Sequence, residues 1–153
     1  MILVIGIGNP ARGDDAAGLA VARRIREAAP GHVTVTELAG DQLALLDAWT
    51  GAREVYLIDA VCSGGTPGTV YRFDAAEPLT ARFWHRGTHT FSLADVIELG
   101  RALSRLPGRL SGYGIEGGTF EPGAPLSAEV EAAVEAVTAA LLRELRESSS
   151  RAG

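Results

Sequence analysis

The stretch that decides the fold lies at the start of the chain, where residues 1–25 read MILVIGIGNPARGDDAAGLAVARRI. Its first residues are apolar and rich in β-branched side chains, which is typical of a strand buried on both faces. Residues 6–13 then contain three glycines and a proline, which interrupt regular structure. A helix is predicted to begin near Asp14 and Asp15 and to end at Pro30-Gly31. The pattern therefore predicts a strand, a glycine-rich loop and a helix with two carboxylates at its N-terminus.

The remaining sequence alternates between strand-like and helix-like segments. Further strands are predicted at His32–Leu38, at the edge of the sheet, and at Ala52–Asp59, Thr69–Phe73 and Arg109–Glu116. Further helices are predicted from Asp41 to Trp49 with Leu43, Leu46 and Trp49 buried, from Phe91 to about Leu106, and from Ser127 with Val130, Val134, Val137 and Leu141 buried. This order predicts an α/β fold with an open, twisted, mostly parallel five-stranded sheet and helices on both faces. A single domain is expected over residues 1–147, followed by a flexible C-terminal tail at residues 148–153.

Composition limits the possible functions. The chain has 153 residues, of which 46% are hydrophobic and 22% charged, as in an ordinary folded protein. Its net charge of −5 and the lack of a basic run argue against nucleic acid as a partner. No apolar run approaches the roughly 20 residues of a membrane-spanning helix, so no membrane partner is expected. The single cysteine, Cys62, fits a reducing compartment, and we expect a cytoplasmic monomer.

Carboxylates follow two of the predicted strands. Asp14 and Asp15 come after the first strand, and Asp59 ends the third. The carboxyl ends of parallel strands meet at one edge of a sheet, where ligands bind. A helix N-terminus also favours the ionised form of a nearby carboxylate. These residues could form a cation site; alternatively, Asp15 caps a helix and Asp59 accepts hydrogen bonds from its loop.

A histidine could complete such a site. His89 lies just before the predicted third helix, where its ring could reach the same edge. Carboxylate and imidazole ligands together suit nickel, zinc or manganese, and three protein ligands leave one coordination position open. However, Asp15, Asp59 and His89 are far apart in the sequence and form no local ligand motif, so His89 could equally be an ordinary surface histidine.

Several other motifs are incomplete. The glycines at 6 and 8 lack the third glycine of a dinucleotide-binding fingerprint, and the chain has no lysine for a Walker motif. Ser63 does not lie in the G-x-S-x-G sequence of a nucleophile elbow. Cys62 follows a strand and is better interpreted as a small buried residue than as a nucleophile. None of these segments predicts a competing site.

The arrangement of these motifs resembles the hydrogenase maturation endopeptidases. The similarity lies in Gly6-Ile7-Gly8-Asn9-Pro10, Gly13-Asp14-Asp15-Ala16-Ala17-Gly18, Leu57-Ile58-Asp59-Ala60-Val61, Thr88-His89, Leu93-Ala94-Asp95, Gly114-Ile115-Glu116 and Leu126-Ser127-Ala128-Glu129-Val130. It extends from Met1 to about Leu145 and thus over nearly the whole chain.

The resemblance implies both a reaction and a site. Proteins of this family remove a C-terminal extension from the large-subunit precursor of a nickel–iron hydrogenase after nickel insertion. The resemblance makes Asp15, Asp59 and His89 the catalytic and metal-binding residues, with nickel carried by the precursor. The family often has Glu where this chain has Asp15, and the segment Glu37–Asp41 lacks the expected Gly-Thr pair. Whether the peptidase is of the aspartyl type or metal-dependent stays open.

Two other functions remain possible from the sequence. A peptidyl-tRNA hydrolase-like esterase also opens with a strand and a Gly-x-Gly-Asn-Pro loop, but it needs a histidine near that loop and a basic face for tRNA. A non-catalytic metal- or ligand-binding α/β module could use the same edge of the sheet.

Overall fold

The computed structural model describes residues 1–29, 31–80, 83 and 92–152. Its strands are β1 (Ile2–Ile7), β2 (Val33–Leu38), β3 (Glu54–Val61), β4 (Val70–Asp74) and β5 (Arg109–Glu116). Its helices are α1 (Ala17–Ala28), α2 (Gln42–Trp49), α3 (Leu93–Ala102) and α4 (Ala128–Ala152), and a 3₁₀ turn at Gly13–Ala16 precedes α1.

The strands form one sheet in the order β2-β1-β3-β5-β4. Neighbouring strands are parallel except β4, which runs antiparallel to β5 at one edge. The chain moves from β1 to β2 on one side and then returns to β3 on the other. The strand order therefore reverses direction at β1 and β3, and a crevice at their carboxyl ends is where α/β sheets bind ligands.

Helices cover both faces of the sheet, as predicted. On one face, α1 and α4 pack over Ile2, Val4, Tyr56, Ile58, Tyr113 and Ile115. On the other face, α2 and α3 pack over Leu3, Ile5, Ile7, Val55, Leu57, Val61 and Leu110. Alternate residues of each strand thus enter different cores, which explains why β1 reads as a continuous apolar run. The predicted fold class is confirmed.

The last helix is longer than the sequence predicts. Its predicted apolar stripe, Val130, Val134, Val137 and Leu141, is buried. The helix continues through Ala152 instead of ending at residue 147. Ser148 is buried and its hydroxyl donates to Glu54, while the Ser149 hydroxyl donates to the carbonyl of Leu145 at 3.0 Å. These bonds satisfy the serine hydroxyls within the helix, so the predicted flexible tail is corrected to a helical segment at residues 148–152.

Three local predictions need correction. Leu43 is 66% exposed, and the buried stripe of α2 consists of Leu45, Leu46 and Trp49. Helix α3 ends at Ala102 instead of Leu106, because the backbone turns at Ser104, which has a positive φ of 54°. Strand β3 extends two residues beyond Asp59. Within the described residues, no helix is long and apolar enough to span a membrane.

Candidate active site

The carboxyl ends of β1 and β3 are held close together by the start of α1. A Cβ atom at Gly18 would collide with the carbonyl oxygen of Ile58 and would lie 2.6 Å from that of Ile7. Only glycine allows this approach of helix to strands. The 3₁₀ turn before α1 also contacts β3. The turn that carries Asp15 is therefore packed against the strand that carries Asp59.

Asp15 is almost completely buried in the loop that it terminates. Its exposed fraction is 2%, and its Oδ2 accepts the backbone N–H of Asn9 at 3.0 Å. A Cβ at Gly8 would collide with the Asp15 carbonyl, so the loop folds tightly over this residue. The carboxylate thus has a fixed position in the 3₁₀ turn between β1 and α1.

Asp59 lies beside a small cavity on the face covered by α2 and α3. The described residues that line this cavity are Ile7, Gly40, Gln42, Leu45, Asp59, Ser92, Leu93 and Val96. Its volume of about 10 Å³ corresponds to about one water molecule. Asp59 is 8% exposed, which makes it a largely desolvated carboxylate next to space for a small reactant.

His89, the third predicted site residue, lies outside the described residues. The described chain resumes at Ser92, whose hydroxyl accepts the Asp95 N–H at 3.1 Å while Asp95 accepts the Ser92 N–H at 3.0 Å. This capping box fixes the start of α3 beside the cavity. Within the part of the chain that the structure describes, no group of three or more His, Cys, Asp or Glu side chains could hold a metal ion.

The carboxylate of Asp14 has a different set of hydrogen-bond partners from that of Asp15. The Asp14 carboxylate accepts N–H bonds from Gly118 at 2.8 Å, Thr119 at 3.1 Å and Ser127 at 2.8 Å, and a hydroxyl bond from Ser127 at 3.0 Å. Burial would raise the pKa of Asp14, but these hydrogen bonds outweigh it and lower the pKa below its usual value. Asp14 therefore joins the first loop to the segment between β5 and α4, whereas Asp15 accepts a hydrogen bond from within the first loop.

Glu116 is a further buried carboxylate at the same edge, which the sequence analysis did not single out. It is fully buried at the end of β5 and accepts the Ser63 N–H at 2.8 Å, the Ser63 hydroxyl and the Tyr71 hydroxyl at 2.9 Å. The Gly68 N–H donates to its carbonyl at 2.8 Å. Glu116 thus anchors the loop that follows β3. Its position at the end of a predicted strand, like that of Asp59 in the sequence, was the available signal.

Comparison with known proteins identifies the family of this chain. A family model described as hydrogenase maturation protease matches residues 19–144, which is most of the chain. The chain belongs to the hydrogenase maturation protease family.

Individual members of the family align over most of this chain. The hydrogenase 2 maturation protease of Escherichia coli K12 is 29% identical over 99% of this chain and 94% of its own length. The solved structure of the hydrogenase maturating endopeptidase HybD from E. coli has a TM-score of 0.74 and 27% identity, covering 96% of this chain and 93% of its own. A solution structure of an endopeptidase from E. coli gives a TM-score of 0.77 at 28% identity, with the same coverage.

Membership in this family decides between the functions left open by the sequence. The related proteins are endopeptidases, and their similarity extends along the whole domain instead of only the opening loop. The protein is therefore assigned as a maturation endopeptidase, and the esterase alternative, which rested on the opening loop alone, is not supported.

Proposed function

We propose that this maturation protease removes the C-terminal extension of a nickel–iron hydrogenase large-subunit precursor after nickel insertion. One observation supports the site above all others. Asp15 lies in the 3₁₀ turn that follows β1, and this turn packs against the adjacent parallel strand β3, which carries Asp59 close to its carboxyl end, at the crevice where the strand order reverses. The chain belongs to a family of endopeptidases, and two buried carboxylates lie at this edge of the sheet. Together these findings favour hydrolysis of a peptide bond at this edge.

The proposed recognition element is nickel carried by the precursor. Two carboxylates are an incomplete ligand set for a transition metal, which suits an ion that arrives with ligands of its own. We propose His89 as the third protein ligand. It precedes Ser92 by three residues, and a chain of that length reaches at most about 11 Å. Ser92 lines the same cavity as Asp59, and this short connection is our reason for proposing His89 as the partner of that carboxylate.

The proposed hydrolysis uses Asp59 as the base. A water molecule beside Asp59 adds to the scissile carbonyl carbon and gives its proton to the carboxylate. The C–N bond then breaks, the new carboxyl group stays on the large subunit, and the departing amine takes the proton. Nickel on the precursor would polarise the carbonyl. Asp15 and His89 would hold the ion so that only a metallated precursor places its peptide bond correctly.

The decisive experiment compares nickel-loaded and nickel-free precursor from the same organism, with the cleaved products identified by mass spectrometry. We expect cleavage of the nickel-loaded form only. D59N should lower the rate at least about 100-fold through loss of the base, and H89A should abolish the preference for nickel. D47N, which changes an exposed aspartate on α2, is the matched control. Equal cleavage of both precursors would disprove recognition of the metal.

We further propose that the protein acts as a cytoplasmic monomer. Its one cysteine, Cys62, is exposed instead of buried as the sequence predicted, and it is free. A free thiol suits a reducing compartment. Light scattering on the purified protein tests the monomer, and detection of the protein outside the cytoplasmic fraction would contradict the location.

A further inference from the structure

Arg12 carries a polar atom for which the fold provides no partner. Its Nε is buried and has no hydrogen-bond acceptor within the described residues. Six other arginines, Arg23, Arg24, Arg26, Arg72, Arg101 and Arg105, form ion pairs with carboxylates. A buried N–H without an acceptor costs stability, and such an exception in a folded protein calls for an explanation.

The backbone at Arg12 is fixed close to the active site. The Arg12 N–H donates to the Asn9 carbonyl at 3.3 Å, and the Asp15 N–H donates to the Arg12 carbonyl at 3.1 Å. The Gly123 N–H also donates to the neighbouring Ala11 carbonyl at 2.7 Å. Arg12 therefore occupies a rigid part of the loop, three residues before Asp15.

The adjacent acidic residue cannot serve as the missing partner. Asp14 already accepts four hydrogen bonds from residues 118, 119 and 127. Although Nε is buried, Arg12 as a whole residue is partly exposed, so a ligand from solution can reach part of the residue. A guanidinium binds a carboxylate best through two parallel N–H bonds, and Nε together with one Nη forms such a pair of donors.

We propose that Arg12 binds a carboxylate of the precursor's C-terminal extension and thereby holds the substrate next to Asp15 and Asp59. This inference rests on the proposed function, because it takes the precursor peptide as the ligand. The extension must cross the crevice to bring its peptide bond to Asp59. Among the described residues, the buried charged side chains of this edge, Asp14, Asp15, Asp59 and Glu116, are all acidic. Arg12 supplies a positive charge beside them that attracts an anionic segment. Arg12 would thus determine which precursors bind.

The test compares wild type, R12Q, R12K and R24Q in the cleavage of nickel-loaded precursor. R24Q is the matched control, because Arg24 pairs with Glu131 on the surface. We expect R12Q to raise KM at least about tenfold with kcat changed less than about threefold, as for loss of a charged hydrogen bond in substrate binding. R12K should fall between wild type and R12Q, since lysine keeps the charge but not the paired donors.

Two altered precursors identify the source of the carboxylate. One carries Asn and Gln in place of every Asp and Glu of the extension, and the other has an amidated C-terminus. Wild type and R12Q should have equal KM values for whichever precursor lacks the bound carboxylate. A KM of R12Q within twofold of wild type, or an unchanged difference with both altered precursors, would overturn the proposal.

Two further measurements distinguish failure of this inference from failure of the proposed function and from a structural role of Arg12. If wild type cleaves no precursor, the proposed function fails, and binding of fluorescently labelled precursor then tests Arg12 alone. R12Q should bind at least about tenfold more weakly, and equal binding, or none by either protein, overturns the inference. The melting temperature of R12Q should remain within about 2 °C of wild type. A large drop would instead assign Arg12 a structural role and would also overturn the proposal.

Discussion

Replacement of Asp14 by asparagine should destabilise the fold far more than its chemical similarity suggests. The wild-type Oδ2 accepts three donors, from Gly118, Thr119 and the Ser127 hydroxyl, and Oδ1 accepts the Ser127 N–H. The asparagine oxygen can take the Oδ2 position and keep three of these bonds. Its NH₂ group then faces the N–H of Ser127, so two donors oppose each other.

The cost of D14N follows from these four bonds. Three bonds change from charged to neutral acceptors, at about 0.5–1 kcal/mol each. One buried N–H loses its acceptor, at about 1–3 kcal/mol. Because the four bonds share one side chain and are not additive, we expect the free energy of unfolding to fall by about 3 kcal/mol. This places D14N among strongly destabilising substitutions.

Urea unfolding followed by circular dichroism measures this loss. The matched control is D41N: the Asp41 side chain accepts the Leu43 N–H at 2.9 Å as the N-cap of α2, and asparagine caps a helix equally well. The pKa of Asp14 is lowered in the folded state, so its stabilising effect is present above the unfolded-state pKa of about 3.9. It is lost as the pH falls through the lowered folded-state value.

The difference between wild type and D14N should therefore be constant from pH 7 to about pH 5 and should shrink below about pH 4. A difference under 1 kcal/mol at pH 7, or one that persists unchanged into acid, would refute the role given to these hydrogen bonds.

Three further substitutions test other parts of the structure. G18A should lower the free energy of unfolding by about 3 kcal/mol, because the added methyl group meets the carbonyl oxygens of Ile58 and Ile7; an unchanged urea midpoint would contradict this close approach. E116Q should lower it by about 2 kcal/mol and hasten proteinase K cleavage at residues 63–68, since Glu116 anchors that loop; equal cleavage rates would argue against anchoring. L43S should change stability by less than about 0.5 kcal/mol, because Leu43 is 66% exposed; a loss near the 2–5 kcal/mol of a buried leucine would show that it is packed.

The fold could be read from the sequence because local patterns determine most of its elements. The strand Arg109–Glu116 has the predicted bounds, and the apolar residues of α4 recur at the spacing of a buried helical face. The prediction that Leu43 is buried was wrong because α2 has only eight residues. In a helix of about two turns, the apolar spacing is compatible with more than one buried face. The sequence pattern also failed at Ser148 because the partner of its hydroxyl, Glu54, is 94 residues away.

The site was only partly predictable for a similar reason. Adjacent aspartates look alike in a sequence, yet Asp14 is a structural residue and Asp15 lies at the crevice. The hydrogen bonds that distinguish them come from residues 104 to 113 positions later. The roles of Glu116 and Arg12 could not be predicted either. Glu116 is recognised by its hydrogen bonds to a distant loop, and Arg12 by a buried Nε that has no acceptor among the described residues. Both properties appear only in three dimensions.

The strand order also has a consequence for synthesis of the protein. Strand β4 leaves the ribosome directly after β3, but β5 lies between them in the finished sheet. The backbone of β4 therefore has no native strand to pair with until residues 109–116 have been translated. Until then a nascent chain exposes the open edge of β3, which is a template for pairing with other chains. Pairing of β5 with β3 and of β4 with β5 is therefore completed late in synthesis, because it requires the C-terminal third of the polypeptide.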